Sequence, residues 1–495
     1  MQPPKVPKTA ATARPFPAPS GGRWSPFELA ALGGAVAVGL GLRLWQVEAW
    51  SFTPAELLAL EGGAGLRGTG LWLQPCAGSW ARLLAALLAP GAGEGWWRLP
   101  TVFGSTMAVL LLALVGELFV ARATALLAAW FLAVHPGAVA AGQTLLPGAW
   151  AAVFTLLAAG ALVVAHRQRE LGWAVTAALA VAAAMALDLT VGFALAGYAA
   201  AIALGSRRSA SPDAPPSAGR TLRRGHWLLA AASAALPSVL WGLGGGRLAP
   251  PSAWPDTVWY LQPWWLGLAA VGMLLGDLFR AARRRALCGA VLVVVLPAAI
   301  FGPNAGDASA VAIAVPIVCL FAAQGAFEVG SRLQAGLAPE RPWARRGLAG
   351  LPTAALLTAG LVAVVLQATA FAGARPPFRE AAQAVLRAAG SKRLLVRAAA
   401  AEPALRYYLG LGRDAAGIVS VEPVEVPAVG AWLDGPAAAA GGGQRAEFAV
   451  LLRGEWLAWQ AARAAGSGAS LPRVTAVLPV AADPEPNTLY VLRRS

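Results

Sequence analysis

Carboxylates and guanidinium groups cluster in one stretch of an otherwise apolar chain. Glu48, Glu56, Glu61, Arg67, Arg82, Glu94 and Arg98 all fall within residues 48–98. A carboxylate beside a hydroxyl can act as its general base, and an arginine fork can hold a phosphate leaving group. A reaction on a lipid-phosphate-linked sugar requires both. Several of these residues also have plain structural readings. Thr53-Pro54-Ala55-Glu56 fits a helix start, with Thr as N-cap, Pro at the first helical position and Glu reaching back to the cap. Such a cap stabilises a short helix by ~1 kcal/mol. Glu48 also reads as a solvated interfacial acid, and Arg98 and Arg43 as cations whose stems lie in lipid while their heads reach the headgroups. His135, next to Pro136, reads as a helix-end residue. The cysteines (Cys76, Cys288, Cys319) and histidines (His135, His166, His226) show no metal or redox spacing. No cofactor is expected, although the loop acids could hold a divalent ion loosely.

The elements that must position these groups are membrane helices. Of 495 residues, 58% are hydrophobic and only 13% charged, too few to clothe a water-facing surface. The apolar residues come in blocks of about twenty, the length that crosses hydrocarbon. Blocks near 27–47, 99–121, 123–141, 148–165, 171–187, 189–205, 227–246, 263–279, 286–302, 309–329 and 347–371 predict about eleven transmembrane helices. The net charge of +15 lies in arginine clusters between those blocks, which suits anionic lipid headgroups and argues against nucleic acid.

Arginine placement also sets the orientation. With the N-terminus inside, the inside loops hold Arg122, Arg167, Arg169, Arg207, Arg208, Arg220, Arg223, Arg224, Arg280, Arg283 to Arg285, Arg332, Arg341, Arg345 and Arg346. Counting the tail, that is roughly twenty basic residues inside against about four outside (Arg67, Arg82, Arg98, Arg247). Residues 1–26 are Pro-rich and basic, and predict a disordered cytoplasmic tail before an uncleaved first helix. Residues 27–373 form the transmembrane domain. Its first extracytoplasmic loop, 48–98, holds two amphipathic stretches, Thr53 to Gly62 and Ser79 to Leu88.

Residues 374–495 read as a small extracytoplasmic α/β domain. Helices are expected at Phe378–Ala389, Glu402–Leu409 and Glu455–Ala464, and strands at Arg393–Arg397, Glu447–Leu452, Val474–Leu478 and Thr488–Leu492. This alternation predicts a mostly parallel sheet. The expected location is a bacterial inner membrane, with the C-terminal domain in the periplasm.

The order of features resembles the GT-C glycosyltransferases, in particular the bacterial branch related to dolichyl-phosphate-mannose mannosyltransferases and lipid A aminoarabinose transferases. A first helix ends on Leu42-Arg43-Leu44. A long loop follows, then Trp97-Arg98-Leu99-Pro100-Thr101-Val102-Phe103-Gly104, then a helix closing on Ala133-Val134-His135-Pro136. Pro377-Phe378-Arg379-Glu380 and Arg406-Tyr407-Tyr408-Leu409 continue the likeness. The resemblance implies an inverting membrane glycosyltransferase that moves a hexose or pentose from a polyprenyl-phosphate donor to a lipid or protein acceptor. Glu56 and Glu48 would be the catalytic carboxylates, and Arg98, Arg43 and Arg67 would hold the donor phosphate.

Departures from the pattern support an alternative, a catalytically degenerate subunit that binds lipid or scaffolds a larger membrane complex. Relatives open the loop with an acidic pair whose Asp is the proposed base; here Ala55 precedes Glu56, and the register through Val47-Glu48 also supplies one acid. Leu73-Gln74-Pro75-Cys76 stands where relatives have an aromatic or His with paired prolines. The late Arg-Tyr is missing from Asp307-Ala308-Ser309.

Overall fold

The computed structural model describes residues 23–45, 94–168, 170–188, 263–275, 311–337, 342–374, 377–389, 393–398, 402–412, 419–423, 445–464, 473–478 and 489–493, with a few single positions such as Val47, Phe52, Glu56 and Leu261. The first part is helical: α1 (Pro26–Leu44), α2 (Glu94–Gly116), α3 (Arg122–Val134), α4 (Pro136–Gly142), α5 (Gly148–Gln168), α6 (Leu171–Leu187), α7 (Pro263–Leu275), α8 (Val315–Leu337) and α9 (Pro342–Ala374). Among the described residues, α1, α2 and residues 148–165 of α5 are long and apolar enough to cross a membrane. Helices α3 and α4, bent by 62° at their junction, are together apolar enough for a broken span or a re-entrant loop. Large apolar side chains remain exposed along these helices, among them Phe103, Met107, Leu157, Leu179 and Leu361. Lipid is the solvent that makes such a surface tolerable. The expected block 286–302, and most of 189–205 and 227–246, lie outside the described residues, as do both amphipathic stretches apart from Glu56.

Two boundaries differ from the sequence expectation. Helix α2 starts at Glu94 and carries Pro100 inside it, so the proline does not open the helix. The expected block 123–141 breaks at His135 because Pro136 has no N–H for the carbonyl four residues back.

At one end of the bundle, Ser25 and Glu28 form a capping box on α1. Arg122 there pairs with Glu117 at 3.0 Å and Glu28 at 3.6 Å, its guanidinium 5.0 Å from the Trp24 ring centroid. The N-terminus of α1 and the turn between α2 and α3 therefore share one end. The start of α2, and with it Arg98, belongs to the other.

Among the described residues, the C-terminal part is a five-stranded sheet with three helices: α10 (Phe378–Ala389), β1 (Arg393–Ala398), α11 (Glu402–Gly412), β2 (Val419–Pro423), β3 (Arg445–Leu452), α12 (Arg453–Ala464), β4 (Arg473–Leu478) and β5 (Leu489–Arg493). The strand order is β2-β1-β3-β5-β4. Strand β1 pairs in parallel with β2 and β3, while β5 runs antiparallel to β3 and β4. The sheet is thus mixed rather than mostly parallel, because β4 and β5 join as an antiparallel pair at one edge. Alternation along β3 builds two cores. Phe448 and Val450 pack with α10 and α11, whereas Ala449 and Leu451 pack with Trp456 and Trp459 of α12.

Candidate functional site

Arg98 and Glu56 meet at the start of α2. Arg98 Nε donates to Glu56 Oε1 at 3.1 Å and Nη2 to Oε2 at 3.2 Å, a two-pronged pair with both side chains 0% exposed. Arg98 Nη1 donates to the Val47 carbonyl at 3.0 Å, and the guanidinium lies 5.0 Å from the Phe52 ring centroid. Glu56 Oε1 also accepts the Leu145 N–H at 2.8 Å. Leu145 belongs to the turn between α4 and α5, which anchors this end of the bundle. Gln143 Nε2 donates to the Trp45 carbonyl at 2.9 Å, closing α1, and Thr101 Oγ1 donates to the Thr144 carbonyl at 2.6 Å. Three distant segments are thereby tied around one buried ion pair.

Arg43 sits deeper and serves the helix break. Pro136 cannot donate to the Leu132 carbonyl, and the Gly137 N–H turns to His135 Nδ1 at 3.2 Å instead of to Ala133. Arg43 Nη2 and Nη1 donate to those two carbonyls, Leu132 and Ala133, each at 3.2 Å. Nη1 also reaches the Gly39 carbonyl at 2.8 Å, and Nε donates to Ser105 Oγ at 2.6 Å. A cation at the C-terminal end of α3 also suits the helix dipole. Gly142 leaves the stem room, since a Cβ there would lie 3.2 Å from Arg43 Cδ and 2.8 Å from Ser105 Cβ. Arg43→Met is expected to destabilise the protein by about 3 kcal/mol, two carbonyls losing charge-assisted partners. Thermal unfolding in detergent reads this, and an unchanged transition would contradict the capping role.

A second polar cluster joins α2 to the C-terminal unit. Arg379, in the first turn of α10, places Nη2 2.6 Å and Nε 3.1 Å from Glu94 Oε1. Tyr408 of α11 donates to the same oxygen at 2.9 Å and accepts the Phe52 N–H at 2.8 Å. Tyr407 stacks edge-on against Phe52 with ring centroids 5.4 Å apart. Burial first, and the Glu94 charge second, push its phenol up to about 12, so it stays neutral at physiological pH. Phe52, Trp97 and Leu145 share one apolar cluster with Phe378, Val385, Tyr408 and Phe448.

The structure thus brings Glu56 and Arg98 together and sets Arg43 apart, at the helix break. Glu48 and Arg67 lie outside the described residues. Sequence reading missed the pairing of Glu56 with Arg98, and it missed Glu94, Arg379 and Tyr408 as one cluster. The Pro-Phe-Arg-Glu and Arg-Tyr-Tyr-Leu motifs and the density of acids in the loop were the available signals. Among the described residues, no group of three His, Cys, Asp or Glu could hold a metal ion.

No protein-family profile and no curated protein matches the sequence. Solved structures do match. ArnT from Cupriavidus metallidurans bound to undecaprenyl phosphate is 14% identical, with a TM-score of 0.51, over 94% of this chain and 98% of that one. Its apo state gives 15% identity and a TM-score of 0.50 over the same shares. The chain shares the fold of these ArnT structures. A membrane location fits the helices that are long and apolar enough to cross one. The oligosaccharyltransferase of Archaeoglobus fulgidus in its apo form is 12% identical, with a TM-score of 0.48 over 73% of this chain. This chain spans 58% of the oligosaccharyltransferase's length.

Proposed function

We propose that this GT-C protein transfers a sugar from a polyprenyl-phosphate donor to a lipid or protein acceptor on the extracytoplasmic side of a bacterial inner membrane. The arginine distribution supports that orientation, with the C-terminal unit outside. The observation that carries the reading is the buried Glu56–Arg98 constellation, seated where α2 begins and covered by the C-terminal unit. It joins a carboxylate and a guanidinium, the two groups that acceptor activation and phosphate binding need, at one end of a lipid-embedded fold.

An apolar hollow of about 350 Å³ favours a lipid-linked donor. Trp150, Phe154, Ala183, Ala186 and Leu187 line it, between α5 and α6. Trp150 Nε1 donates to the Pro100 carbonyl at 2.9 Å, two residues beyond Arg98, so the hollow adjoins the constellation. An isoprenoid chain in this hollow would lead its phosphate toward the start of α2. In the proposed reaction a loop carboxylate, Glu48 or Glu56, takes the acceptor proton. The acceptor oxygen attacks the anomeric carbon with inversion, and the polyprenyl phosphate leaves to the arginines, Arg98 and Arg67. Arg43 shapes the helices beneath.

Protein reconstituted in nanodiscs tests the reading. With synthetic undecaprenyl-phosphate-linked hexose or pentose and total membranes as acceptor, free undecaprenyl phosphate is expected to accumulate. No release from either donor would overturn the proposal.

A further inference from the structure

We propose that the C-terminal α/β unit is a working part of the site, with Tyr408 and Arg379 as positioning residues that set the segment carrying Phe52 and Glu56. Calling that segment a reaction centre rests on the reading above; the coupling itself does not.

The hydrogen-bond directions leave one arrangement. The Phe52 amide can only donate and Glu94 Oε1 already accepts from Arg379, so Tyr408 must give its single hydroxyl hydrogen to Glu94 and receive from Phe52. One hydroxyl therefore fixes the loop backbone to the first turn of α2, across 356 and 314 residues of sequence respectively. Arg379 holds Glu94 from the other side, donating to Oε1 through Nη2 and Nε and opposing the cost that burial imposes on the charged form of the carboxyl. Phe52, so placed, puts its ring beneath the Arg98 guanidinium, and Arg98 grips Glu56. The path from the C-terminal unit to Glu56 is thus a series of direct contacts.

Glu94 Oε2 and Trp97 Nε1, three residues apart on α2, are buried without a hydrogen-bond partner among the described residues, so Tyr408 and Arg379 act on Glu94 through Oε1.

Tyr408→Phe keeps the ring and removes only the hydroxyl. In nanodisc-reconstituted protein, amide hydrogen exchange of the peptide containing Phe52 is expected to accelerate about five- to tenfold, the worth of one buried hydrogen bond, while peptides from α8 keep their rates. Arg379→Gln should act likewise and Arg379→Lys should not. Arg379 is 36% exposed, so its variants carry the measurement if Tyr408→Phe accumulates poorly. With undecaprenyl-phosphate-linked hexose, both disruptive variants should lower kcat and leave the donor KM unchanged. Wild-type exchange at Phe52 in both variants overturns the inference whatever the activity, and faster exchange with unchanged kcat overturns the positioning role. Faster exchange in a protein whose wild type turns over no donor upholds the coupling and removes the reaction reading instead.

Discussion

Arg98→Met is expected to destabilise the protein by about 3–5 kcal/mol, the usual result of removing one partner from a buried ion pair. Glu56 would keep its N–H from Leu145 but lose the cation that makes its burial tolerable. The loss should exceed that of the part-buried Arg122–Glu117 pair, which keeps some contact with solvent and whose removal costs about 1 kcal/mol. The double variant Arg98→Met with Glu56→Met should recover much of the difference, since an apolar pair of similar volume often replaces a buried ion pair at little cost. Apparent Tm in detergent ranks the three proteins. A single variant as stable as wild type would mean that the pair does not hold the loop to α2.

The second large effect is on transfer. Glu48→Gln combined with Glu56→Gln keeps the shapes and removes both candidate bases, so kcat is expected to fall by ~10²–10⁴, the usual contribution of general-base catalysis. The glutamine at 56 can still accept the Leu145 N–H but leaves Arg98 without its charge partner, so apparent Tm measured on the same protein separates lost chemistry from lost structure. Full activity in this double variant, with exchange at Phe52 unchanged, would discard the assignment of the carboxylates and leave the fold intact.

Local pattern explains what could be read beforehand. The expected helix at Phe378–Ala389 is found at those residues, and the strand expected at Arg393–Arg397 runs one residue further. Both rest on periodicity, which neighbouring residues carry. Strand β2, Val419–Pro423, was missed; it closes on Glu422-Pro423, and a proline argues against a strand. The break at Pro136 was visible as a helix end, but its consequence was not. Two orphaned carbonyls drew in Arg43 from 89 and 90 positions away, and nothing local says which arginine would answer them.

The same limit applies to the site. Glu56 and Arg98 were each picked out by residue type, yet a capping box explained Glu56 equally well because the true partner lies 42 residues on. Glu94 looked like one acid among several. Its role at the joint depends on Tyr408 and Arg379, more than 280 residues downstream, and on the folding of the whole C-terminal unit. Spacing rules see a helix turn or a strand pair; a cluster gathered from four segments is a property of tertiary structure.

The central claim is that a polyprenyl phosphate places its head at the start of α2. Cryo-electron microscopy of the protein in nanodiscs with undecaprenyl phosphate tests it most directly. The predicted map has phosphate density within hydrogen-bonding reach of an arginine at the start of α2 or in the loop before it, with the isoprenoid chain passing along Trp150 and Ala186. Side chains filling that space, with the lipid bound elsewhere or not at all, would contradict it.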